Sequence, residues 1–278
     1  MFIKEEDGSK RIVFDNLSNV EETLEPGVYS LNVQIHETFF GKQEILHVKK
    51  TDKFIGKTFV RAGVYKDIDD LINIHLSEPM KKAKELLKMP NKMGLIFNGL
   101  PGTGKTFTAG LIGQRIVEKK NGICIVTTDC NGNRAKRIIE HLRTFTKDPI
   151  VWVFDEFEKS VKSNDSELLS LLDGVNSPDN VIFIATSNKT NGLPDFILDR
   201  PGRFERIIEF KMEDPIILSS IVSSILPEEY RNKHLIDDVM SDVRKSNNKT
   251  IDKIIIIVRD NLSKFLYLQE KNRKKKEV

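Results

Sequence analysis

Apolar and polar positions follow three different rhythms along this chain. Tyr29, Leu31, Val33 and Ile35 are separated by Ser30, Asn32 and Gln34, the period of two that a half-buried strand requires. Pro26-Gly27 before this run and Gly41-Lys42 after it are turn signals. Residues 44–48 and 54–60 read as further short strands. Residues 1–61 are therefore expected to form a small antiparallel β-rich module, and nothing in it resembles a catalytic site.

From residue 62 to 212 the rhythm changes. Short continuous apolar runs at 95–97, 123–126, 150–154, 181–185 and 207–210 suit parallel strands covered on both faces. Helical patterns at 106–120, 134–145 and 166–172 lie between most of them, the second stopped near Asp148-Pro149. This predicts an α/β fold, a three-layer sandwich around a parallel sheet. Residues 213–268 then read as a small helical lid, with helices at 216–225, 235–244 and 251–268. Residues 254–258 also have the composition of a buried strand. Residues 269–278 form a basic tail.

Composition narrows the function classes. The 278 residues are 39% hydrophobic and 31% charged with a formal charge of +3, ordinary for a globular protein. Residues 271–278 alone carry a net +4, so the remainder sums to −1. The body therefore lacks the basic balance that binding many nucleic-acid phosphates requires. No run of about 18 apolar residues predicts a membrane span, and the charged first ten residues do not resemble a signal sequence. Cys124 and Cys130 form no CxxC pair, and the five histidines include no HExxH, so neither a disulfide framework nor a histidine metal site is expected. A reducing cytoplasm is the expected compartment.

Candidate chemistry concentrates in two segments. Gly99-Leu100-Pro101-Gly102-Thr103-Gly104-Lys105-Thr106 matches GxxxxGK[ST] directly after an apolar strand and before a helix. Glycines let backbone N–H groups close around phosphate oxygens, and the helix N-terminus adds favourable partial charge. Lys105 is placed to reach the β- and γ-phosphates and the Thr106 hydroxyl to coordinate Mg²⁺. About fifty residues on, the apolar run 150–154 ends in Asp155-Glu156. Asp155 suits the magnesium shell, and Glu156 suits a general base that polarises water.

A third segment makes the pattern specific. Leu198-Asp199-Arg200-Pro201-Gly202-Arg203-Phe204-Glu205-Arg206 followed by Ile207-Ile208 resembles the second region of homology of the AAA ATPase family. Ala185-Thr186-Ser187-Asn188 resembles its sensor-1 strand end, and Leu171-Leu172-Asp173-Gly174-Val175 the helix after Walker B. The resemblance covers about residues 64–210. It implies ATP and Mg²⁺ as ligands, and nucleotide contacts from Pro101, Gly102, Thr103, Gly104, Lys105, Thr106, Phe107 and Asp155. It also implies metal ligation by Thr106 and Asp155, and catalytic roles for Glu156, Asn188, Arg200 and Arg203. In the family, arginines at the last two positions reach a neighbouring subunit's nucleotide. Arg206 fits a structural role at the subunit contact as well as it fits catalysis. Val64-Tyr65-Lys66-Asp67-Ile68 resembles the segment beside adenine, which makes Asp67 and Ile68 candidate contacts.

The resemblance further implies a homo-oligomeric ring, a hexamer before other sizes, that remodels, assembles or disassembles a macromolecular client. A protein client is expected over nucleic acid. Two departures bear on this. The stretch 127–133, where threading members carry an aromatic pore loop, has no aromatic residue, and no sensor-2 arginine is evident near Ser246-Asn247-Asn248-Lys249. The alternatives are an ATP-gated scaffold with little turnover and a DNA-directed loader.

Overall fold

The first two rhythms of the sequence become two kinds of strand in one sheet. In the computed structural model, the residues described are 2–4, 10–12, 24–38, 41–52, 54, 64–161, 166–173, 178–188, 193, 197, 202–211, 215–247 and 249–276. The alternating zone supplies β1 (Phe2–Lys4), β2 (Lys10–Ile12), β3 (Gly27–Thr38) and β4 (Gly41–Lys50). The continuous apolar runs supply β5 (Lys92–Asn98), β6 (Ile123–Thr127), β7 (Ile150–Phe154), β8 (Val181–Ser187) and β9 (Arg206–Glu209). Every residue of β5, β7 and β8 is buried, as expected for strands with layers on both sides.

The nine strands are ordered β1-β2-β4-β3-β6-β7-β8-β5-β9. From β9 to β6 all neighbours are parallel. The N-terminal strands continue this sheet without a break. β3 runs parallel to β6, from Gly27 opposite Ile123 to Ser30 opposite Val126, and antiparallel to β4. The physical reason is that β6 would otherwise present an unpaired edge. Val28, Tyr29 and Leu31 enter the core with it. Of the expected strand at 54–60, Phe54 lies in a turn and 55–60 fall outside the described residues.

Helices pack on this frame: α1 (Val64–His75), α2 (Glu78–Leu86), α3 (Lys105–Lys120), α4 (Gly132–Arg143), α5 (Phe157–Ser160) and α6 (Ser166–Leu172). Asn131 caps α4, its Oδ1 accepting the Arg134 N–H at 2.9 Å. The core is aromatic, with Trp152, Phe154, Phe157 and Phe183 almost fully buried and Phe154 stacked on Phe183 at 6.3 Å.

The chain divides into two compact units. Met1–Thr58, Asp69–Gly99 and Lys105–Glu209 form the first, and Phe59–Ile68, Leu100–Gly104 and Phe210–Val278 the second. The second unit contains α7 (Pro215–Ile225), α8 (Lys233–Lys245) and α9 (Ile251–Lys276). Residues 254–258, equally readable as a strand, are helical. Ile254, Val258 and Asn261 are buried while Ile255 and Ile256 are exposed, the i, i+4, i+7 stripe of a helix with one covered face. α9 continues through Lys276, so residues 269–276 of the basic tail extend a helix. Among the described residues no helix is long and apolar enough to cross a membrane.

Candidate functional site

The C-terminal ends of β5, β7 and β8 bring four of the sequence-selected side chains together. Lys105 opens α3 and is only 5% exposed. Its Nζ donates to the Gly99 carbonyl at 2.7 Å and to Asn188 Oδ1 at 3.0 Å. Burial pushes the ammonium below the ordinary lysine range, with the Glu158 and Asp155 carboxylates acting in the opposite direction. The Thr106 hydroxyl donates to Asp155 Oδ1 at 2.5 Å. Hydroxyl and carboxylate oxygens from α3 and from the end of β7 thus meet at one point.

Thr186, at the end of β8, completes this arrangement. Its Oγ1 donates to the same Asp155 Oδ1 at 2.6 Å and accepts the Glu156 backbone N–H at 3.1 Å. Glu156 adopts φ 51° and ψ 44°, a left-handed conformation that costs a residue with a Cβ about 1–2 kcal/mol. The bond to Thr186 helps hold that conformation. The Glu156 carboxylate is half-exposed and accepts from Lys159 Nζ at 2.5 Å.

Asn188 is held from the other side. Its backbone N–H and Nδ2 donate to Glu158 Oε1 at 3.1 and 2.9 Å. Lys105, Asn188 and Glu158 therefore form one hydrogen-bonded line. Glu158 Oε2 is buried with no hydrogen-bond partner among the described groups. Glu158, Lys159 and the bridging role of Thr186 were not singled out in the sequence. The relevant separations are about 30 residues for Glu158 with Asn188 and 31 for Thr186 with Asp155, and no local period reports them.

The loop from Gly99 to Gly104 has the backbone its glycines permit. Gly102 and Gly104 have φ of 75° and 86°, positions disfavoured for residues with a Cβ. Within the second unit, a Cβ on Gly102 would lie 2.7 Å from Thr250 Cβ, and the Gly102 carbonyl accepts the Ile251 N–H at 2.8 Å. Thr103 Oγ1 donates to the Leu100 carbonyl at 2.8 Å, and Pro101 is exposed. The ring of Phe107 packs on Phe54 at 5.8 Å. What Phe107 can offer an anion is its N–H in the first turn of α3, where the helix has no acceptor of its own. On α1, Asp67 is exposed and Ile68 fully buried.

Arg203, selected with Arg200 for a neighbour's nucleotide, has a partner within its own chain. It is 4% exposed and forms a bidentate pair with Asp173, Nε to Oδ1 at 2.8 Å and Nη2 to Oδ2 at 3.2 Å. An arginine beside an acid at the end of α6 lowers its energy by pairing there, because a buried guanidinium without a partner is costly. Lys92 lies in the same region, its Nζ donating to the Leu172 carbonyl. Burial lowers its pKa to about 8, opposed by Asp173 and Glu205. This cluster sits at the opposite end of the strands, since Glu205 N–H bonds the Gly94 carbonyl. Five residues of strand to Gly99 correspond to about 16 Å. Arg200 lies outside the described residues, and Arg206 is exposed.

Comparison with known proteins accords with this geometry. The profile of the ATPase family associated with various cellular activities (AAA) matches residues 95–212. The chain carries an AAA-family domain. The ATP-dependent zinc metalloprotease FtsH of Ureaplasma parvum is 31% identical over 215 residues, which cover 69% of this chain and 28% of that protein. The proteasome-activating nucleotidase of Saccharolobus islandicus is 28% identical over 173 residues, 50% of this chain and 43% of that protein. An ATPase with bromodomain protein, abo2, of Schizosaccharomyces pombe is 26% identical over 206 residues, 65% and 17%. The chain thus spans less than half the length of each of these relatives.

Proposed function

We propose that this AAA-domain chain binds ATP with Mg²⁺ and hydrolyses it in a homo-oligomeric ring, coupling turnover to remodelling of a protein client. The observation that carries the reading is the hydrogen-bonded assembly of Lys105, Thr106, Asp155 and Asn188. Lys105 would release Gly99 and Asn188 to meet the β- and γ-phosphates, and the N–H groups of residues 102–107 would close around their oxygens. Thr106 and Asp155 fit Mg²⁺ because the ion takes hard oxygens and commonly only one or two from protein, the rest from phosphate and water. When bound, the ion would neutralise charge on the bridging phosphate oxygens. Glu156 would accept a proton as water attacks the γ-phosphorus and the bond to the β–γ bridging oxygen breaks, leaving ADP and phosphate. Asn188, oriented by Glu158, would hold the attacking water or a γ-oxygen. Arg200 and Arg203 are the proposed trans-acting arginines, Arg203 on release from Asp173.

Binding of a fluorescent ATP analogue to wild type and Lys105→Ala tests the reading. Loss of measurable affinity in the variant is the expected result, because the loop loses its one cationic side chain. Affinity within about threefold of wild type (a difference of less than 1 kcal/mol) would remove the phosphate-binding assignment.

One observation favours the second reading, a nucleotide-gated scaffold with little turnover. The Glu156 carboxylate is already engaged by Lys159. Phosphate release measured across protein concentration separates the two, since a scaffold stays inactive at concentrations where it assembles.

A further inference from the structure

β3 extends well beyond the strand that pairs with it. Its partnership with β6 ends at Ser30 opposite Val126, yet the strand continues to Thr38. Past Thr127 the β6 chain turns away through residues 128–131 into α4. The divergence opens a groove of about 460 Å³ between the continuation of β3 and that loop. Leu31, Asn32, Val33 and Ile35 line one side, and Thr128, Asp129, Arg134 and Ser160 are among the residues on the other. The volume lies in the usual range for ligand sites, ~300–1,000 Å³.

The direction of the backbone groups follows from the pairing. Gly27 N–H bonds the Gly122 carbonyl on the β6 side, and the Val28 carbonyl accepts the Thr51 N–H on the β4 side. Backbone groups alternate along a strand, so those of Val33 and Ile35 face the groove while those of Asn32 and Gln34 are taken by β4. Among the described residues no strand pairs with this edge beyond Ser30. The opposite wall is largely self-satisfied: the Thr128 carbonyl accepts Ser160 Oγ at 2.9 Å, and Asp129 N–H bonds Thr127 Oγ1 at 3.0 Å. The side chains of β3 also sort by face. Val33 is half-buried beside the core, and Ile35 on the same face is 60% exposed, whereas Asn32 and Gln34 point the other way.

We infer that this slot is a docking site for an extended polypeptide segment of the client, which adds as a strand to the β3 edge in the place that β6 vacates. The occupant is an extended chain because what the slot offers is a row of in-plane N–H and C=O groups at strand spacing. It carries an apolar side chain where it meets Val33 and Ile35 and a polar one beside the Arg134 guanidinium, which also lines the slot and pairs with Asp129 and with Glu44, the β4 residue opposite Ile35. Ser160 ends the short helix α5 that begins directly after Glu156 and bonds the groove wall, so a docked segment meets the far end of the helix that follows the proposed base. The inference rests on the remodelling reading and names its client contact.

The test uses the full chain without nucleotide and a permanently unfolded probe, fluorescein-labelled, reduced and carboxymethylated α-lactalbumin, followed by anisotropy. Saturable binding is expected, weakened about tenfold or more by Ile35→Asp, which replaces exposed apolar surface in the slot by a charge. Amide exchange read residue by residue by NMR in the wild-type chain should slow at Val33 and Ile35 on saturation, with Asn32 and Gln34 unchanged. That measurement decides the matter even if the variant folds poorly. Absence of saturable binding, or binding with Val33 and Ile35 exchanging as before, overturns the proposal. Protection that grows with protein concentration before any probe is added also overturns it, because the edge is then covered by a second copy. An active ATPase with no probe binding removes the groove alone, and probe binding by a chain with no ATPase activity removes the hydrolysis reading alone.

Discussion

The Thr186 hydroxyl stands 2.6 Å from Asp155 Oδ1 and simultaneously accepts the Glu156 N–H. One side chain at the end of β8 therefore orients the proposed metal ligand and pins the left-handed backbone of the proposed base. Thr186→Val keeps the shape and removes both bonds. Leaving one buried polar group unpaired costs about 1–3 kcal/mol, so hydrolysis should fall on the order of tenfold and the Mg²⁺ requirement should rise, with binding of the ATP analogue retained. A Mg²⁺ titration of phosphate release checks this. An unchanged magnesium profile would make Thr186 purely structural.

Glu156→Gln should preserve nucleotide binding and lower hydrolysis by about two orders of magnitude or more, the range expected for a lost general base. Lys159→Ala is informative beside it. If the Lys159 contact restrains the carboxylate, its removal should raise turnover modestly, whereas a fall would mean that Lys159 holds the base in its working position. Single-turnover hydrolysis reads both variants.

Arg203 and Arg200 should now behave differently. Arg203→Ala removes the guanidinium that pairs with Asp173, and breaking a buried pair costs about 3–5 kcal/mol, less here because Asp173 keeps some solvent. The expected result is a lowered urea midpoint, with rescue by the double change Arg203→Met and Asp173→Leu. Arg200→Ala should fold as wild type, bind ATP and hydrolyse it poorly. Mixing it with Lys105→Ala should restore activity in a concentration-dependent manner, because each lacks a different part of a shared site. The same rescue with Arg203→Ala would assign the trans role to Arg203 as well, and its absence would leave Arg203 structural.

Lys92 gives the stability a pH dependence of known sign. In the unfolded chain lysine stays protonated to about 10.5, while burial brings the folded group to about 8. Between these values the unfolded state binds more protons, so this group makes stability rise with pH from about 8 to 10.5. Below pH 8 its full desolvation penalty is present. Urea unfolding at pH 7.5 and pH 10 should show a smaller increase, or a larger decrease, for Lys92→Met than for wild type. Equal pH responses would mean that Lys92 titrates alike in both states.

What the sequence by itself determined is whatever depends on neighbours along the chain. The apolar runs that became β5 to β8 were legible because strands covered on both faces contain few polar residues. β7 and α6 end where the residue pattern predicts, and the loop ahead of Lys105 has its glycines where positive φ occurs. Residues 254–258 were ambiguous, since five apolar residues suit either element until packing selects a face. Everything set by pairing across the fold was decided by tertiary structure alone. β3 joined β6 because an edge strand leaves hydrogen bonds unmet, and no alternation of Tyr29 to Ile35 encodes which edge that is. Asn188 acquired Glu158, and Asp155 acquired Thr186, because β7 and β8 lie side by side. Arg203 pairs with Asp173 because a buried guanidinium is lower in energy beside a carboxylate, and a motif records the residue but not the direction of its side chain.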